Sequence, residues 1–172
     1  MMFEPKNIIQ IADQITSNKI GIFPFDTLLG LTGLPTQETI TKLEKIKQRN
    51  SMPFILIIPN LSFLDSLVEP LNTYQTQLIN TYWPGPFTFI FKKHTSVPDY
   101  ITSNRPTIAI RLANFLPLDF LLSKLNSPIL STSANIHTQP VPVSVNDVDS
   151  SLLDQCDFVM SNYLLNLTNV QL

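Results

Sequence analysis

Short apolar runs alternate with amphipathic stretches along this 172-residue chain. The amphipathic stretches repeat their apolar residues at helical spacing, and they predict helices at 5–17, 36–47, 72–82, 117–125 and 147–153. The apolar runs predict strands at 20–23, 54–58, 87–91, 107–112, 129–132 and 158–160. Because strands and helices alternate, we expect an α/β protein.

The connections between strands indicate how the sheet is built. The segment from Phe91 to Thr107 is too short for a crossover helix, so the strands on either side of it should pair antiparallel. We therefore expect a twisted sheet of mixed parallel and antiparallel strands with flanking helices. The length fits one domain over residues 1–172, and the sequence shows no repeat, linker or low-complexity tract.

The composition of the chain indicates which kinds of function and which cell compartment are expected. The formal net charge of −2 gives no global electrostatic support for nucleic-acid binding. The single cysteine, Cys156, cannot form an intrachain disulfide, which suits a reducing compartment. No basic, apolar leader opens the sequence, and the longest aliphatic run, 54–58, is far too short to cross a bilayer. These features predict a cytoplasmic protein without a membrane segment.

Two polar segments are candidates for anion binding. The stretch from Ser131 to Asn135 reads S-T-S-A-N after a strand, and its hydroxyl and backbone N–H groups suit a phosphate or a carboxylate. A simple polar turn is the alternative. Lys47 and Arg49 either complement a helix dipole or face a polyphosphate.

Thr107 and Arg111 should share one face of a strand, with Ile108 and Ile110 turned into a core. An arginine in an apolar strand is costly unless it is paired. Its partner is either an acid such as Asp26 or Asp119, in a structural ion pair, or the carboxylate of a substrate.

Other kinds of site are not indicated by the sequence. No His, Cys, Asp and Glu residues are spaced as in a zinc site, so no metal ligand is assigned. There is no nucleophile elbow, Walker A loop or Rossmann fingerprint, and four glycines are too few for a glycine-rich phosphate loop. The segment Trp83-Pro84-Gly85-Pro86 is interpreted as a packing corner.

Five segments together resemble the ordered motifs of the YrdC/TsaC family. Residues 24–31, PFDTLLGL, resemble its P-T-E/D-T-V-Y-G-L, and residues 47–49 resemble its K-x-R. Residues 83–88, WPGPFT, resemble W-P-G-P-L/V-T, and residues 107–111 resemble T-V/L-A-V-R. Residues 131–135 resemble the family's S-A-N segment, and the likeness covers roughly residues 5–150.

This resemblance implies a YrdC/RibB-like fold around a concave site and the activity of a threonylcarbamoyl-AMP synthase. Such an enzyme joins L-threonine, bicarbonate and ATP, releases pyrophosphate and supplies the proteins that transfer threonylcarbamoyl to tRNA. By matching position, Thr27, Arg111 and Ser131 would contact L-threonine. ATP would be contacted by Lys47, Arg49, Thr107, Ser133 and Asn135. Phosphoryl chemistry adds Mg²⁺ on the triphosphate, with no protein ligand assigned.

The sequence also departs from the family pattern. Phe25 and Leu29 replace a motif Thr and Tyr and are expected to make the pocket more apolar. We expect a phosphate donor to be lost at Met52 and a hydroxyl at 141–143, and residues 162–172 lack the family's glycine-containing S-T-V/I segment. These losses favour an alternative, a degenerate relative that binds a nucleotide or RNA with little catalysis. An interaction protein without a small ligand, and carbamoyl transfer to another acceptor, are further alternatives.

Overall fold

The computed structural model describes residues 5–48 and 53–160. Within these ranges the helices are α1 (Pro5–Thr16), α2 (Gln37–Lys47), α3 (Leu64–Leu67), α4 (Thr73–Tyr82), α5 (Asp99–Thr102), α6 (Leu116–Leu125) and α7 (Ser150–Leu153). The strands are β1 (Gly21–Pro24), β2 (Leu29–Gly33), β3 (Ile55–Ile57), β4 (Phe89–Lys92), β5 (Thr107–Arg111), β6 (Ile129–Ser133) and β7 (Phe158–Val159). No helix in these ranges has both the length and the apolar character needed to cross a membrane.

The seven described strands form one mixed sheet in the order β4-β5-β3-β6-β2-β1-β7. Two neighbouring pairs, β3–β5 and β1–β7, are parallel, and the remaining neighbours are antiparallel. The antiparallel pairing of β4 with β5 confirms the interpretation of their short connection. Strand β2 was not predicted, although it joins β1 to the centre of the sheet.

Three of the predicted helix starts are confirmed, whereas the helix expected over 147–153 begins only at Ser150, with Asp149 as its cap. Thr36 caps α2 by accepting a hydrogen bond from the Thr39 backbone N–H at 3.2 Å. Asn72 and Gln75 form a reciprocal capping box at the start of α4. Pro117 lies in the first turn of α6, where its missing N–H costs nothing.

The sheet separates two apolar cores. One face carries Leu31, Leu56 and Ile110 and packs against α2, with Leu43 fully buried between them. The opposite face carries Phe23, Ile57 and Ile129, which are covered by apolar residues of α1 and α6. Alternation along β5 places Arg111 on the α6 side, because Ile108 and Ile110 fill the first core.

The Trp83 segment is a packing corner, as expected. Trp83 is 7% exposed, and its ring meets those of Phe89 and Phe91 edge to face. The indole N–H donates to the Phe87 carbonyl oxygen at 2.7 Å, and the Gly85 N–H donates to the Leu112 carbonyl at 2.8 Å. This corner therefore fixes the start of β4 beside the end of β5.

Candidate active site

The guanidinium group of Arg111 joins three of the motif segments. Its Nε donates to Thr88 Oγ1 at 3.0 Å, and its Nη1 donates to Thr27 Oγ1 at 3.0 Å. Nη1 also lies 3.1 Å from Asp26 Oδ1. The Arg111 side chain is 12% exposed, so these fixed contacts hold it in one orientation.

Two of the three guanidinium nitrogens are thus occupied. The ion pair with Asp26 that the sequence suggested as an alternative is present. Among the described residues, none is recorded as a partner for Nη2. The ion pair is therefore compatible with a contact between Nη2 and a substrate carboxylate, although Nε and Nη1 are already engaged.

The carboxyl group of Asp26 is buried and only partly compensated. Its side chain is 8% exposed, and Oδ2 is buried without a hydrogen-bond partner. Burial raises the pKa of Asp26 above its usual value, and this effect outweighs the opposing attraction and hydrogen bond of Arg111. The pKa of Asp119, in the first turn of α6, is also raised, first by burial and then by the charge of Asp26.

A second polar cluster forms where α2 ends beside β6. Lys47 is 5% exposed, and its Nζ donates to the Ser133 carbonyl oxygen at 2.7 Å and to Asn135 Oδ1 at 2.9 Å. Ser133 Oγ lies 3.3 Å from the same ammonium group and donates to Asn135 Oδ1. Asn135 Nδ2 donates in turn to the Gln139 carbonyl oxygen. One buried cation thus sets the shape of the S-T-S-A-N segment.

The turn between β1 and β2 touches both clusters. Asp26 and Thr27 in this turn contact Arg111, and the Leu29 carbonyl oxygen accepts a hydrogen bond from the Ala134 N–H at 3.0 Å. Gly30 pairs with Ser133 across β2 and β6. The predicted threonine and ATP segments are therefore joined through a single turn.

Ser131 and Thr107 lie on the same face of the sheet as Arg111. Ser131 is 7% exposed in β6, where it pairs with Ile55 on one side and Thr32 on the other. Thr107 begins β5, half-buried, and pairs with Lys92. Ala109 follows Thr107 on this face between Ile55 and Ile90, and Ile90 is 70% exposed.

The expectation that Phe25 and Leu29 line a more apolar pocket was wrong. Phe25 is 1% exposed and its ring lies over Gly30, where an added Cβ atom would come within 2.6 Å of it. Leu29 is 2% exposed and belongs to the other core. Both substitutions therefore add to the interior and not to a ligand-facing surface.

Several predicted features fall outside the described residues. These are Arg49, Met52 and the segment 162–172. Val141 and Val143 are described, and they are exposed by 47% and 62% where the family pattern has hydroxyls. In the described ranges, no group of three or more His, Cys, Asp and Glu could hold a metal ion.

Sequence reasoning gave Thr88 no role in the site. Thr88 directly precedes the pair of Phe89 with Ile110 and so stands beside Arg111 in the antiparallel ladder, a register that the predicted pairing of the two strands did not specify. Asp26 was considered only as a structural counter-ion, since burial of its second oxygen cannot be inferred from sequence.

The comparisons with known proteins agree on one family. The Sua5/YciO/YrdC family model, described as "Telomere recombination", matches residues 13–167. A Blochmanniella floridana protein named threonylcarbamoyl-AMP synthase is 35% identical over 73% of this chain and 69% of its own length. Its namesake from Blochmanniella pennsylvanica is 28% identical over 88% of this chain and 80% of its own.

Among solved structures, P. abyssi Sua5 complexed with L-threonine superposes with a TM-score of 0.87 at 26% identity. The match covers 94% of this chain and 48% of that one, so the chain spans about half of the P. abyssi protein. The chain belongs to the Sua5/YciO/YrdC family.

Proposed function

We propose that this chain is a threonylcarbamoyl-AMP synthase. The amino nitrogen of L-threonine bonds to the carbon of bicarbonate with loss of water, which gives a carbamate. A carbamate oxygen then attacks the α-phosphorus of ATP, and the bond to the bridging oxygen breaks so that pyrophosphate leaves. Relatives with this activity in their names, and a Sua5 structure with bound L-threonine, support the assignment.

One structural relationship carries the proposal. Residues 84 positions apart, Thr27 and Arg111, meet at 3.0 Å, and residues 88 positions apart, Lys47 and Asn135, meet at 2.9 Å. Four distant motif segments therefore meet in two pairs through polar contacts. Such convergence is expected for a site that receives anionic substrates.

In this proposal, L-threonine is bound through its carboxylate and hydroxyl groups by Arg111, Thr27 and the backbone at Ser131. Arg111 arrives already oriented by Thr88 and Asp26, so little side-chain entropy is lost on binding.

The ATP side of the site uses Ser133, Asn135 and Thr107 near the phosphates, with Lys47 and Arg49 as the cations. Lys47 contributes its charge and also holds Ser133 and Asn135 in place. Mg²⁺ enters with ATP as part of the substrate.

No protein nucleophile is required for this reaction. Two anionic reactants have to be held together while negative charge moves onto phosphoryl oxygens, and positioned donors supply that stabilisation. Loss of one such donor should raise the barrier by about 2–4 kcal/mol.

The decisive experiment measures pyrophosphate release with ATP, bicarbonate and L-threonine, omitting each in turn. Release should need all three, and carbon from labelled bicarbonate should appear in a nucleotide product. Equal release with and without threonine would contradict the proposal.

Arg49→Ala should weaken ATP binding more than threonine binding, and calorimetry can compare the two.

One observation favours a second candidate, a nucleotide-binding relative with little catalysis. Val141 and Val143 expose apolar surface where the family pattern supplies hydroxyls. That candidate predicts ATP binding without pyrophosphate release under any combination of substrates.

In the leading proposal the product passes to tRNA-modifying proteins in the cytoplasm, where ATP and tRNA are both available.

A further inference from the structure

Arg111 and Asp26 share fewer hydrogen bonds than a simple structural ion pair would make. A guanidinium group and a carboxylate usually meet through two parallel hydrogen bonds when pairing is the only purpose. Here they share one contact of 3.1 Å, because Nε is directed to Thr88 and Nη1 is shared with Thr27. Asp26 Oδ2 remains buried without a partner.

This arrangement leaves part of a buried negative charge uncompensated. Arg111 does not offset the cost of burying Asp26, since burial remains the dominant influence on the pKa of that carboxyl group. Asp119 adds a second acid close enough for the charge of Asp26 to raise its pKa. Asp26 is thus paired with Arg111 and also repelled by the charge of Asp119, so one further positive charge would stabilise the surroundings.

The ligand must also carry a negative group for the guanidinium edge that the described residues leave unused. An α-amino acid meets both requirements, because its carboxylate and its ammonium group are separated by only one carbon atom. A carboxylic acid without an amino group supplies only the negative group, and it adds a negative charge beside Asp26. The local field therefore discriminates between the two classes.

We propose that Asp26 makes this site selective for a zwitterionic α-amino acid over carboxylic acids that lack the amino group. The inference rests on the proposed function, since it concerns the threonine end of the same site. Asp26 acts through its charge and not through a hydrogen bond from Oδ2, because Oδ2 itself is covered by protein. Burial keeps this interaction from being screened by salt.

The test compares two ligands that differ only in the α-amino group. L-Threonine and (R)-3-hydroxybutyrate are titrated calorimetrically into wild-type protein, Asp26→Asn and Asp26→Glu. Wild type should bind threonine at least about tenfold more tightly. Asp26→Asn should lose most of this ratio through weaker threonine binding, with 3-hydroxybutyrate binding unchanged or stronger. Asp26→Glu, which keeps the charge, should retain a preference for threonine.

Glu38→Gln is the matched control, because Glu38 is an acid 58% exposed on α2. It should leave both affinities unchanged. An unchanged ratio in Asp26→Asn would overturn this inference, since Asp26 would then only position Arg111. Equal binding of both ligands by wild type would overturn it without any variant. Absence of threonine binding by wild type would instead overturn the proposed function, and this inference with it.

Discussion

The ammonium group of Lys47 lies 2.7 Å from the backbone carbonyl oxygen of Ser133, a residue 86 positions further along the chain. Lys47 is 5% exposed, so its charge is held inside the protein by this carbonyl and by Asn135. The segment after β6 therefore takes its shape from the last residue of α2.

Replacing Lys47 by methionine should destabilise the protein while preserving the volume of the side chain. Loss of hydrogen bonds from a charged donor should lower the free energy of unfolding by about 1.5–3 kcal/mol, which urea denaturation can measure. Lys45→Met, at an exposed position of the same helix, should change it by less than about 0.5 kcal/mol. Similar losses in both variants would contradict a specific role for Lys47.

Arg111 and Asp26 should be strongly coupled in a double-mutant cycle. Arg111→Ala alone leaves a buried carboxylate without its cation, and we expect a loss of about 3–5 kcal/mol in the free energy of unfolding. Asp26→Ala should also be destabilising, because it leaves Arg111 unpaired. The double variant should be more stable than the sum of the two losses predicts, and strict additivity would show that the pair is not energetically linked.

Gly30 should not tolerate a methyl group. An added Cβ atom would lie 2.6 Å from the Phe25 ring and 3.0 Å from the Thr132 carbonyl oxygen, so Gly30→Ala should cost about 1–3 kcal/mol of stability. Phe25→Leu removes the ring, and it should recover part of this loss when the two changes are combined. A thermal-unfolding series of both single variants and the double variant checks this, and no recovery would mean that the Thr132 carbonyl is the limiting contact.

Above the ordinary pKa of a thiol, the stability of the protein should fall as the pH rises. Burial, followed by the charge of Asp157, raises the pKa of Cys156 to about 11. The unfolded chain loses this proton at lower pH than the folded protein, so the stabilisation present below the unfolded pKa is lost as pH rises toward the folded value. Chemical denaturation from pH 8 to 11 should show a shallower decline for Cys156→Ala, and parallel curves would contradict the shift.

Local sequence signals predicted the helix starts well, because a cap depends on a few adjacent residues. The Thr36 cap, the Asn72–Gln75 capping box and the position of Pro117 all rest on such local chemistry. Strand β2 was missed for a related reason. It contains Gly30 and Gly33, which weaken a strand pattern, and its existence depends on pairing with β1 and β6.

The candidate site was predictable as a set of residue types but not as a geometry. Resemblance placed Thr27 and Arg111 in one binding region, and the structure brings them into contact. It could not place Phe25, because a turn residue gives no periodicity from which the direction of its side chain follows. The uncompensated oxygen of Asp26 likewise depends on how Thr88 and Thr27 divide the guanidinium nitrogens, which only tertiary packing decides.

Strand β6 lies between β3 and β2, and its end meets Lys47 from the first third of the chain. During synthesis on the ribosome, Thr27 cannot reach its partner until the chain has been extended past Arg111, and Lys47 cannot reach its partners until it has been extended past Asn135. No early fragment can therefore gain stability from a substrate, and the ordering of the anion-binding segments must be among the last events of folding. A truncated translation product would remain without a binding site and open to proteolysis.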